Sequence, residues 1–447
     1  MVARWERVQV EPDYAATSRA ERRGGSYLRY HPDELAPGGA AARNELSSHV
    51  VEHAADTTAA LQRLGDRLRA NPFPVLYTTA LRSESISSSF IEGIHATARD
   101  VAFAHLRARD ESLRADGTSA HVAQQVTKNA RAMERAVQLL GAGAWRHEHI
   151  WDIHQALLPW HRRGYRQTQV WVGGTTALTA DYAAPPHQKV HAYVDDLLGY
   201  VNTSGDLPVV AAALVHAQFE TIHPFEDGNG RVGRALVHGV FKRAGLVDGG
   251  VVPLSTALRD DRDGYVEALT RYRYDGRSRK VRQQALDHFV DRFLDYLDTA
   301  VAAADRFVDA ALALHGRWRT VVAGTRADGV LHKALDVVVD YPVLTTRLLA
   351  EQLDVTPRRG EDLVKQLVRA GIVRPGTGKY RRAAVYQSDA ILDLLVLGAE
   401  ATPRTTHPAL AMQASEPLVQ RCGGPTAHGT CRNRVTERGE RCWRHRT

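Results

Sequence analysis

The sequence predicts a mainly α-helical protein. Alanine, leucine and arginine are abundant, and apolar residues recur over long stretches at the spacing of an amphipathic helix. One such stretch runs from 206 to 222. It leads into a short segment that holds a histidine, a carboxylate, closely spaced glycines and two arginines. This segment, from His223 to Arg234, has the sequence HPFEDGNGRVGR.

The segment is predicted to form a tight loop between two helices. Pro224 cannot lie inside a helix, so the first helix should end near His223. A second helix is expected from about Arg231 to Ala244, with Gly245 as its stop. Free N–H groups at the start of this second helix would form an anion site.

The residue types in the loop fit the transfer of part of a nucleotide polyphosphate. His223 can be neutral near pH 7 and can take a proton from an attacking hydroxyl. Asp227 offers the hard oxygen that Mg²⁺ prefers, together with substrate phosphates. Charge on the phosphates would be stabilised by the loop amides and by Arg231. The alternative is an ordinary Gly-Asn-Gly turn followed by a solvated pair of arginines, Arg231 and Arg234.

This segment resembles the signature of the Fic family, H-x-F-x-(D/E)-G-N-G-R-x-x-R, at every fixed position. The resemblance implies a Fic helical bundle that transfers AMP from ATP to a Ser, Thr or Tyr hydroxyl of a target protein. It implies His223 as general base and Asp227 as the Mg²⁺ ligand. Nucleotide binding would fall to Gly228, Asn229, Gly230, Arg231 and Arg234, with Arg234 near the γ-phosphate. Phe225 would anchor the loop in the core.

A second segment, Ser88 to Gly93, is similar to an inhibitory pattern of the same family, Ser/Thr-x-x-x-Glu-Gly/Asn. Ser88 and Glu92 lie four residues apart, on one face of a helix. The resemblance implies that Glu92 pairs with Arg234 and displaces the γ-phosphate. The alternative is a polar loop with Glu92 as a surface charge.

A third segment alternates polar residues and β-formers and is expected to be a strand. It resembles the flap of the family, a β-hairpin that holds the target by strand addition. An ordinary surface hairpin is the alternative. The predicted flap residues are Arg166, Gln167, Thr168, Gln169, Val170, Trp171 and Val172.

The 447 residues are enough for several domains. We expect an N-terminal helical region (1–110) with a polar arm, a helix over 41–69 and the inhibitory helix. A catalytic domain (111–305) follows. No apolar run reaches the roughly 18 residues of a membrane span, and the N-terminus lacks a signal core, so a cytoplasmic protein without membrane contact is expected.

Residues 328–398 show the pattern of a winged helix. Thr345 or Thr346 would cap one helix, and Thr356 with Pro357 would begin the next. This region resembles the C-terminal winged helix of some Fic proteins. DNA contact and protein contact, including a homodimer, both stay open at this point. The candidate DNA-contacting residues are Arg358, Arg359, Lys365, Lys379, Arg381 and Arg382.

A linker (399–418) leads to a predicted zinc-binding tail (419–447). All three cysteines of the protein lie in this tail, and with a histidine they give the pattern Cys-x8-Cys-x10-Cys-x2-His. Three thiolates and an imidazole are a common structural Zn²⁺ set, and the tail has too few apolar residues to fold alone. A disordered arginine-rich tail is the alternative. The predicted ligands are Cys422, Cys431, Cys442 and His445, with His428 as a substitute.

The basic charge of the protein is concentrated in this tail. The net charge is +7, and residues 401–447 contain eight arginines against three glutamates. The function that the resemblance to the Fic family implies is a self-inhibited protein adenylyltransferase with ATP as substrate. The alternatives are a DNA-binding regulator that uses the same core as a nucleotide sensor, or an enzyme that removes AMP or transfers another phosphate-containing group. The sequence does not name the target protein.

Overall fold

A computed structural model describes residues 2–16, 19–35, 43–71, 74–107, 113, 118–247, 251–322, 329–376 and 384–398, and four residue pairs between 420 and 435. The described chain is mainly helical, which confirms the predicted class. Residues 1–401 form one compact unit and residues 402–447 form a second.

The helices of the described chain are α1 (Arg19–Arg23), α2 (Ser48–Ala70), α3 (Pro74–Ile91), α4 (Ala98–Arg107), α5 (Thr118–Leu140), α6 (His147–Leu157), α7 (Val190–Thr203), α8 (Pro208–Ile222), α9 (Asn229–Arg243), α10 (Leu254–Asp260), α11 (Arg262–Tyr272), α12 (Arg279–Val321), α13 (Val330–Asp340), α14 (Thr346–Leu353), α15 (Pro357–Arg369) and α16 (Asp389–Gly398). No helix in these described ranges is long and apolar enough to span a membrane.

The strands are β1 (Arg4–Val10), β2 (Gly25–His31), β3 (Trp171–Val172), β4 (Tyr182–Ala183), β5 (Val343–Thr345), β6 (Arg374–Pro375), β7 (Val385–Gln387), β8 (Gln420–Arg421), β9 (Pro425–Thr426), β10 (Gly429–Thr430) and β11 (Arg434–Val435). The first four form one sheet in the order β1-β2-β4-β3. β1 and β2 pair antiparallel over their full length. This part of the chain, for which the sequence predicted only a polar arm, is thus a β-hairpin whose Trp5 and Tyr30 pack with Tyr182 of β4.

Helix α8 lies at the centre of the first unit. Its residues are apolar on nearly every side, and Val209 to Ile222 are all buried. Helices α7, α9 and α12 pack against it. Phe225, just beyond α8, is also buried in this core, as predicted. The fold therefore holds both ends of the His223–Arg234 segment against this buried core.

The predicted boundary at residue 305 falls inside α12, a continuous helix of 43 residues. The prediction of a domain end there was wrong, because buried apolar residues continue along the helix as far as Trp318.

The region from α13 to α16 contains the predicted helices and a small sheet in the order β5-β7-β6. Thr345 and Thr356 accept capping hydrogen bonds at the starts of α14 and α15, which confirms two predicted caps. The segment between β6 and β7, with Lys379, Arg381 and Arg382, lies outside the described residues, so the wing stays a prediction.

The second unit is described only through β8 to β11, which pair as β8 with β11 and β9 with β10. Cys422, Cys431, Cys442, His445 and His428 lie outside the described residues. The zinc set therefore stays a prediction.

Helix α2 approaches the chain just after α9 so closely that one position requires glycine. A Cβ on Gly65 would lie 2.0 Å from the carbonyl oxygen of Leu246. We expect Gly65→Ala to lower the free energy of unfolding by about 1–3 kcal/mol, since backbone must move to make room. Urea unfolding of the purified variant measures this loss.

Gly316 of α12 is the matched control, because a Cβ there would meet nothing within 4 Å. Gly316→Ala should raise the free energy of unfolding by about 0.5–1 kcal/mol through helix propensity alone. Equal stability changes at the two positions would contradict the close packing of α2.

Candidate active site

His223 ends α8 in a left-handed conformation, with φ 51°. A residue other than glycine rarely adopts this conformation, and the strain is tolerated because the surrounding chain is fixed. The backbone N–H of His223 donates to the carbonyl of Phe219 at 2.9 Å. The chain therefore turns sharply at the end of the helix. The side chain of His223 is 19% exposed.

The tautomer of His223 follows from its hydrogen bond. Nδ1 lies 3.3 Å from the carbonyl oxygen of Glu220, which can only accept, so Nδ1 carries the proton. This leaves Nε2 with a free lone pair. Burial lowers the pKa of His223 to about 4, with the charges of Arg166 and Arg273 acting in the same direction. The imidazole is thus neutral near pH 7 and can accept a proton.

The loop after His223 is closed by Asn229. The side-chain oxygen of Asn229 accepts from the backbone N–H of Phe225 at 2.9 Å, and its amide donates to the carbonyl of Phe225 at 2.9 Å. Helix α9 begins at Asn229, two residues earlier than the sequence suggested, because this side chain fixes the first turn. Asparagine therefore holds the loop together.

His154 of α6 supports the same loop, and sequence reasoning missed it. Its ring stacks on Phe225 at 3.8 Å between centroids and 5° between planes. Its Nε2 donates to the carbonyl of Asp227 at 3.1 Å. Burial lowers the pKa of His154 to about 4, so the ring packs uncharged.

The start of α9, where the sequence predicts an anion site, lies next to the carboxylate of Glu92. A Cβ on Gly230 would lie 2.0 Å from Oε1 of Glu92, so a carboxylate already approaches the backbone there. Arg231 is 5% exposed and donates to Asp227 at 3.2 Å. The carboxylate of Asp227 is 58% exposed. Its chemistry and exposure fit a Mg²⁺ ion that also binds phosphates.

Ser88 and Glu92 meet Arg234 at this site. Arg234 Nη2 donates to Oε1 of Glu92 at 2.7 Å and to the carbonyl oxygen of Ser88 at 2.9 Å. Arg234 Nε donates to the hydroxyl of Ser88 at 3.0 Å. The guanidinium is 1% exposed. Glu92 follows directly after α3, and Gly93 then turns the chain with φ 77°.

The charges of this pair stabilise one another. Burial opposes ionisation of Glu92, but the charge and hydrogen bond of Arg234 outweigh it and hold the pKa of Glu92 below its ordinary value. The pKa of Arg234 is raised, since the charge of Glu92 outweighs the effect of burial. Both groups are therefore ionised near neutral pH. Such a pair is costly to break from one side, because the arginine is left buried without a counter-charge.

Further polar contacts, absent from the sequence prediction, hold α3 in place. The buried carboxylate of Glu84 contacts Nε2 of His238 at 3.3 Å and accepts from the backbone N–H of Ser255 at 2.9 Å. Asn129 of α5 donates to the carbonyl of Ser85 at 3.0 Å. Glu84 and Ser88 are one helical turn apart, as are Arg234 and His238, so α3 and α9 meet along a ladder of polar pairs.

Arg166 does not act as the predicted strand residue. It is 5% exposed, and its guanidinium donates to the carbonyls of His223, Thr168 and Pro185 at 2.6–2.8 Å. Only Trp171 and Val172 of the predicted strand are paired, with Tyr182 and Ala183 as partners. The prediction of a strand over 166–172 was wrong for 166–170, because Arg166 turns inward to bind the carbonyls that end α8.

Glu220 is a buried carboxyl beside the catalytic candidate. Its Oε2 lies 4.0 Å from Nδ1 of His223. Oε1 has no hydrogen-bond partner among the described residues. Burial raises the pKa of Glu220 to about 7, against the opposing charge of Arg234. No sequence signal pointed to this group.

Comparison with known proteins gives a family assignment for two parts of the chain. Residues 144–240 match the sequence model of the Fic/DOC family, and residues 51–138 match that of the Fic/DOC family N-terminal region. These two regions contain His223 to Arg234 and Ser88 to Gly93. Both segments of the candidate site therefore lie in regions that are similar to the Fic/DOC family.

Two protein adenylyltransferases are similar to this chain over part of their length. A probable protein adenylyltransferase of Aquifex aeolicus (strain VF5) is 30% identical over 126 residues, which is 28% of this chain and 34% of the relative. The protein adenylyltransferase fic-1 of Caenorhabditis elegans is 29% identical over 128 residues, 26% of this chain and 24% of the relative. The matched region thus spans about a quarter to a third of these relatives.

Among solved structures, a Fic family protein from Desulfovibrio desulfuricans G20 is 22% identical, with a TM-score of 0.48. The similarity covers 77% of this chain and 97% of that one.

Glu220 should make the stability of the protein depend on pH. Its pKa is raised to about 7 from an ordinary 4.5, so the folded state favours the protonated form. The resulting stability is present below pH 4.5 and is lost as the pH rises through 7. Glutamine cannot ionise, so Glu220→Gln should not lose this stability. The unfolding free energy of Glu220→Gln minus that of the wild type should therefore rise by about 2–3 kcal/mol from about pH 5 to about pH 8.

Urea unfolding of both proteins at the two pH values measures this difference. Comparing the two proteins cancels all other titrating groups to first order. A stability difference that is the same at both pH values would show that Glu220 ionises normally.

Proposed function

We propose that this protein is a protein adenylyltransferase that transfers AMP from ATP to a Ser, Thr or Tyr hydroxyl of a target protein, and that Glu92 holds it in an inhibited state. The observation that carries the proposal is the position of the Glu92 carboxylate. It lies against Gly230 at the anion site of α9 and binds Arg234, the cation nearest to that site.

The nucleotide polyphosphate would lie across the start of α9. The unsatisfied N–H groups of the first turn and the helix dipole favour negative charge there. Arg231 adds a cation, and Gly228 and Gly230 let the phosphates approach the backbone. Asp227 would bind Mg²⁺, which supplies charge neutralisation for the departing pyrophosphate.

His223 would act on the target hydroxyl. Its Nε2 accepts the hydroxyl proton as the oxygen attacks the α-phosphorus, and pyrophosphate leaves from the opposite side. Nδ1 stays bonded to the carbonyl of Glu220, which orients the ring. A neutral imidazole is available well below pH 7, because burial lowers the pKa of His223 to about 4.

The target would be held by β3. In the order β1-β2-β4-β3, this strand is at the edge of the described sheet, with one side unpaired by that sheet. An extended target segment could pair with Trp171 and Val172 by strand addition, which uses backbone hydrogen bonds. Arg166 would serve this step indirectly, since it ties the start of the flap to the carbonyl of His223.

Inhibition would follow from competition for Arg234. While Glu92 occupies the guanidinium, the γ-phosphate has no cation at that position, and ATP binds in a pose that does not present the α-phosphorus. Release of Glu92 would free both the guanidinium and the space over Gly230.

The region from α13 to α16 would serve as a winged helix. Arg358, Arg359 and Lys365 of α15 are exposed, which supports contact with DNA phosphates. The negative charges of Glu361 and Asp362 on the same helix disfavour contact with DNA phosphates. A DNA-binding regulator that only senses nucleotide is the second candidate function.

The tail would bind Zn²⁺ through Cys422, Cys431, Cys442 and His445.

ATP labelled at the α- or at the γ-phosphate separates these functions. Label transferred to protein from the α position alone supports adenylylation. Transfer from the γ position alone indicates phosphorylation, and DNA binding that weakens with salt, without any labelling, supports the regulator.

His223→Ala should abolish transfer and leave ATP binding nearly intact, because the imidazole faces the hydroxyl and not the polyphosphate. Loss of a general base lowers the rate by about 10²–10⁴-fold. Rates of α-label transfer and the Kd for ATP measure the two effects. Transfer at close to the wild-type rate would rule out this role for His223.

Glu92→Gly should raise transfer to the target, or to the protein itself, by about tenfold or more if the ion pair biases the equilibrium by over about 1.4 kcal/mol. Glu92→Gln removes the charge with little change in shape and should activate partly. The rate of α-label transfer distinguishes the three proteins.

The combined variant Glu92→Gly/His223→Ala is the control for non-specific labelling, and it should be inactive. A folded Glu92→Gly protein with unchanged or lower activity would contradict the inhibitory assignment of residues 88–93.

A further inference from the structure

Two histidines and a carboxylate meet at the start of α6, away from the nucleotide loop. His147 is the first residue of α6, and His191 and Asp195 are one turn apart on α7. Nε2 of His147 lies 2.8 Å from Oδ1 of Asp195, and Nδ1 of His191 lies 3.0 Å from Oδ2. All three ligand atoms lie within 4.8 Å of one another.

His147 is oriented by residues outside the cluster. Its Nδ1 lies 2.8 Å from the hydroxyl of Tyr165. Its ring stacks on Trp151 at 5.8 Å between centroids. Within the cluster, the rings of His147 and His191 lie 4.1 Å apart and are tilted by 33°. When a metal binds, this hydroxyl can accept a hydrogen bond from Nδ1–H, so that the Nε2 lone pair is directed at the cluster. This arrangement is common behind a histidine that binds a metal.

We propose that His147, His191 and Asp195 form a Zn²⁺ site with three protein ligands and water in the fourth position. Imidazole and carboxylate are ligands that Zn²⁺ accepts, whereas Mg²⁺ and Ca²⁺ prefer oxygen alone. Ligand atoms around tetrahedral Zn²⁺ are roughly 3.3 Å apart, given metal–ligand distances of about 2.0–2.1 Å. The two nitrogen–oxygen separations, which run to different oxygens of Asp195, would each lengthen by about 0.3–0.5 Å. The two histidine nitrogens, which lie within 4.8 Å of one another, would move to the same spacing.

The accessibility of the three residues fits metal entry from solvent. The side chain of His147 is 16% exposed, while those of His191 and Asp195 are 61% and 58% exposed. One ligand is thus fixed in the protein, and two can adjust. Zn²⁺ would take the place of the protons that now bridge Asp195 to the two rings.

The site would also restrain the chain that leads to His223. Tyr165 lies between His147 and Phe225, with ring centroids 5.6 Å from each. The next residue, Arg166, binds the carbonyl of His223. A metal at this cluster would therefore fix α6, α7 and the Tyr165 loop together.

The test is Zn²⁺ binding by the full chain after chelation of bound metal. The wild type should bind about one more equivalent of Zn²⁺ than His191→Ala or Asp195→Asn. Each substitution should weaken this site by more than the roughly 10–100-fold typical of lost outer-shell partners. Zinc bound by the cysteine tail is common to all three proteins and cancels. His49→Ala, which changes an exposed histidine elsewhere, should bind as the wild type does.

Cobalt substitution provides a second measurement that does not depend on the variants. Co²⁺ at this site should give visible d–d bands from nitrogen and oxygen ligands, without the near-ultraviolet charge transfer of thiolate ligands. Wild-type protein that binds Co²⁺ through thiolate alone would overturn the proposal. So would equal Zn²⁺ stoichiometry and affinity in the wild type, His191→Ala and Asp195→Asn.

Discussion

The buried guanidinium of Arg234 is the constraint on which the site depends. It is 1% exposed and has the carboxylate of Glu92 and the hydroxyl and carbonyl of Ser88 as partners. A buried cation is tolerated only when its charge is balanced and its donors are satisfied. The end of α3 therefore has to stay on α9 until another anion takes the place of Glu92. Under the proposed function, that anion would be a nucleotide phosphate at the start of α9.

The same requirement explains the ladder of polar contacts between α3 and α9. Glu84, Ser88 and Glu92 follow one face of the chain, and each meets a donor from α9 or α10. Because polar groups without partners are costly in a core, these contacts fix the register of α3 more strictly than apolar packing would. The last of them, at Glu92, is also the most exposed, with 33% of its side chain accessible. Exchange of this one contact for a phosphate would leave the rest of the ladder in place.

The fold determines both the position and the protonation state of His223, the candidate general base. His223 is placed by a strained turn at the end of α8, by Arg166 on its carbonyl, and by the loop that Asn229 closes. Its neutral form is favoured by burial, while the neighbouring Glu220 is kept partly protonated by the same burial. Two titratable groups in contact thus have pKa values shifted in opposite directions, a pattern that is frequent in active sites.

The sequence by itself determined the helical class, the ends of α8 and α9, and the local arrangement of residues from His223 to Arg234. These features depend on neighbours within a few residues, such as Pro224 and the glycines, so spacing is enough to predict them. The tertiary structure alone decided that Arg166 turns inward, that His154 stacks on Phe225, that Glu220 is buried, and that His147 meets His191 and Asp195. Burial and side-chain direction are set by packing between distant segments, and a periodic pattern carries no information about which distant segment will be the partner.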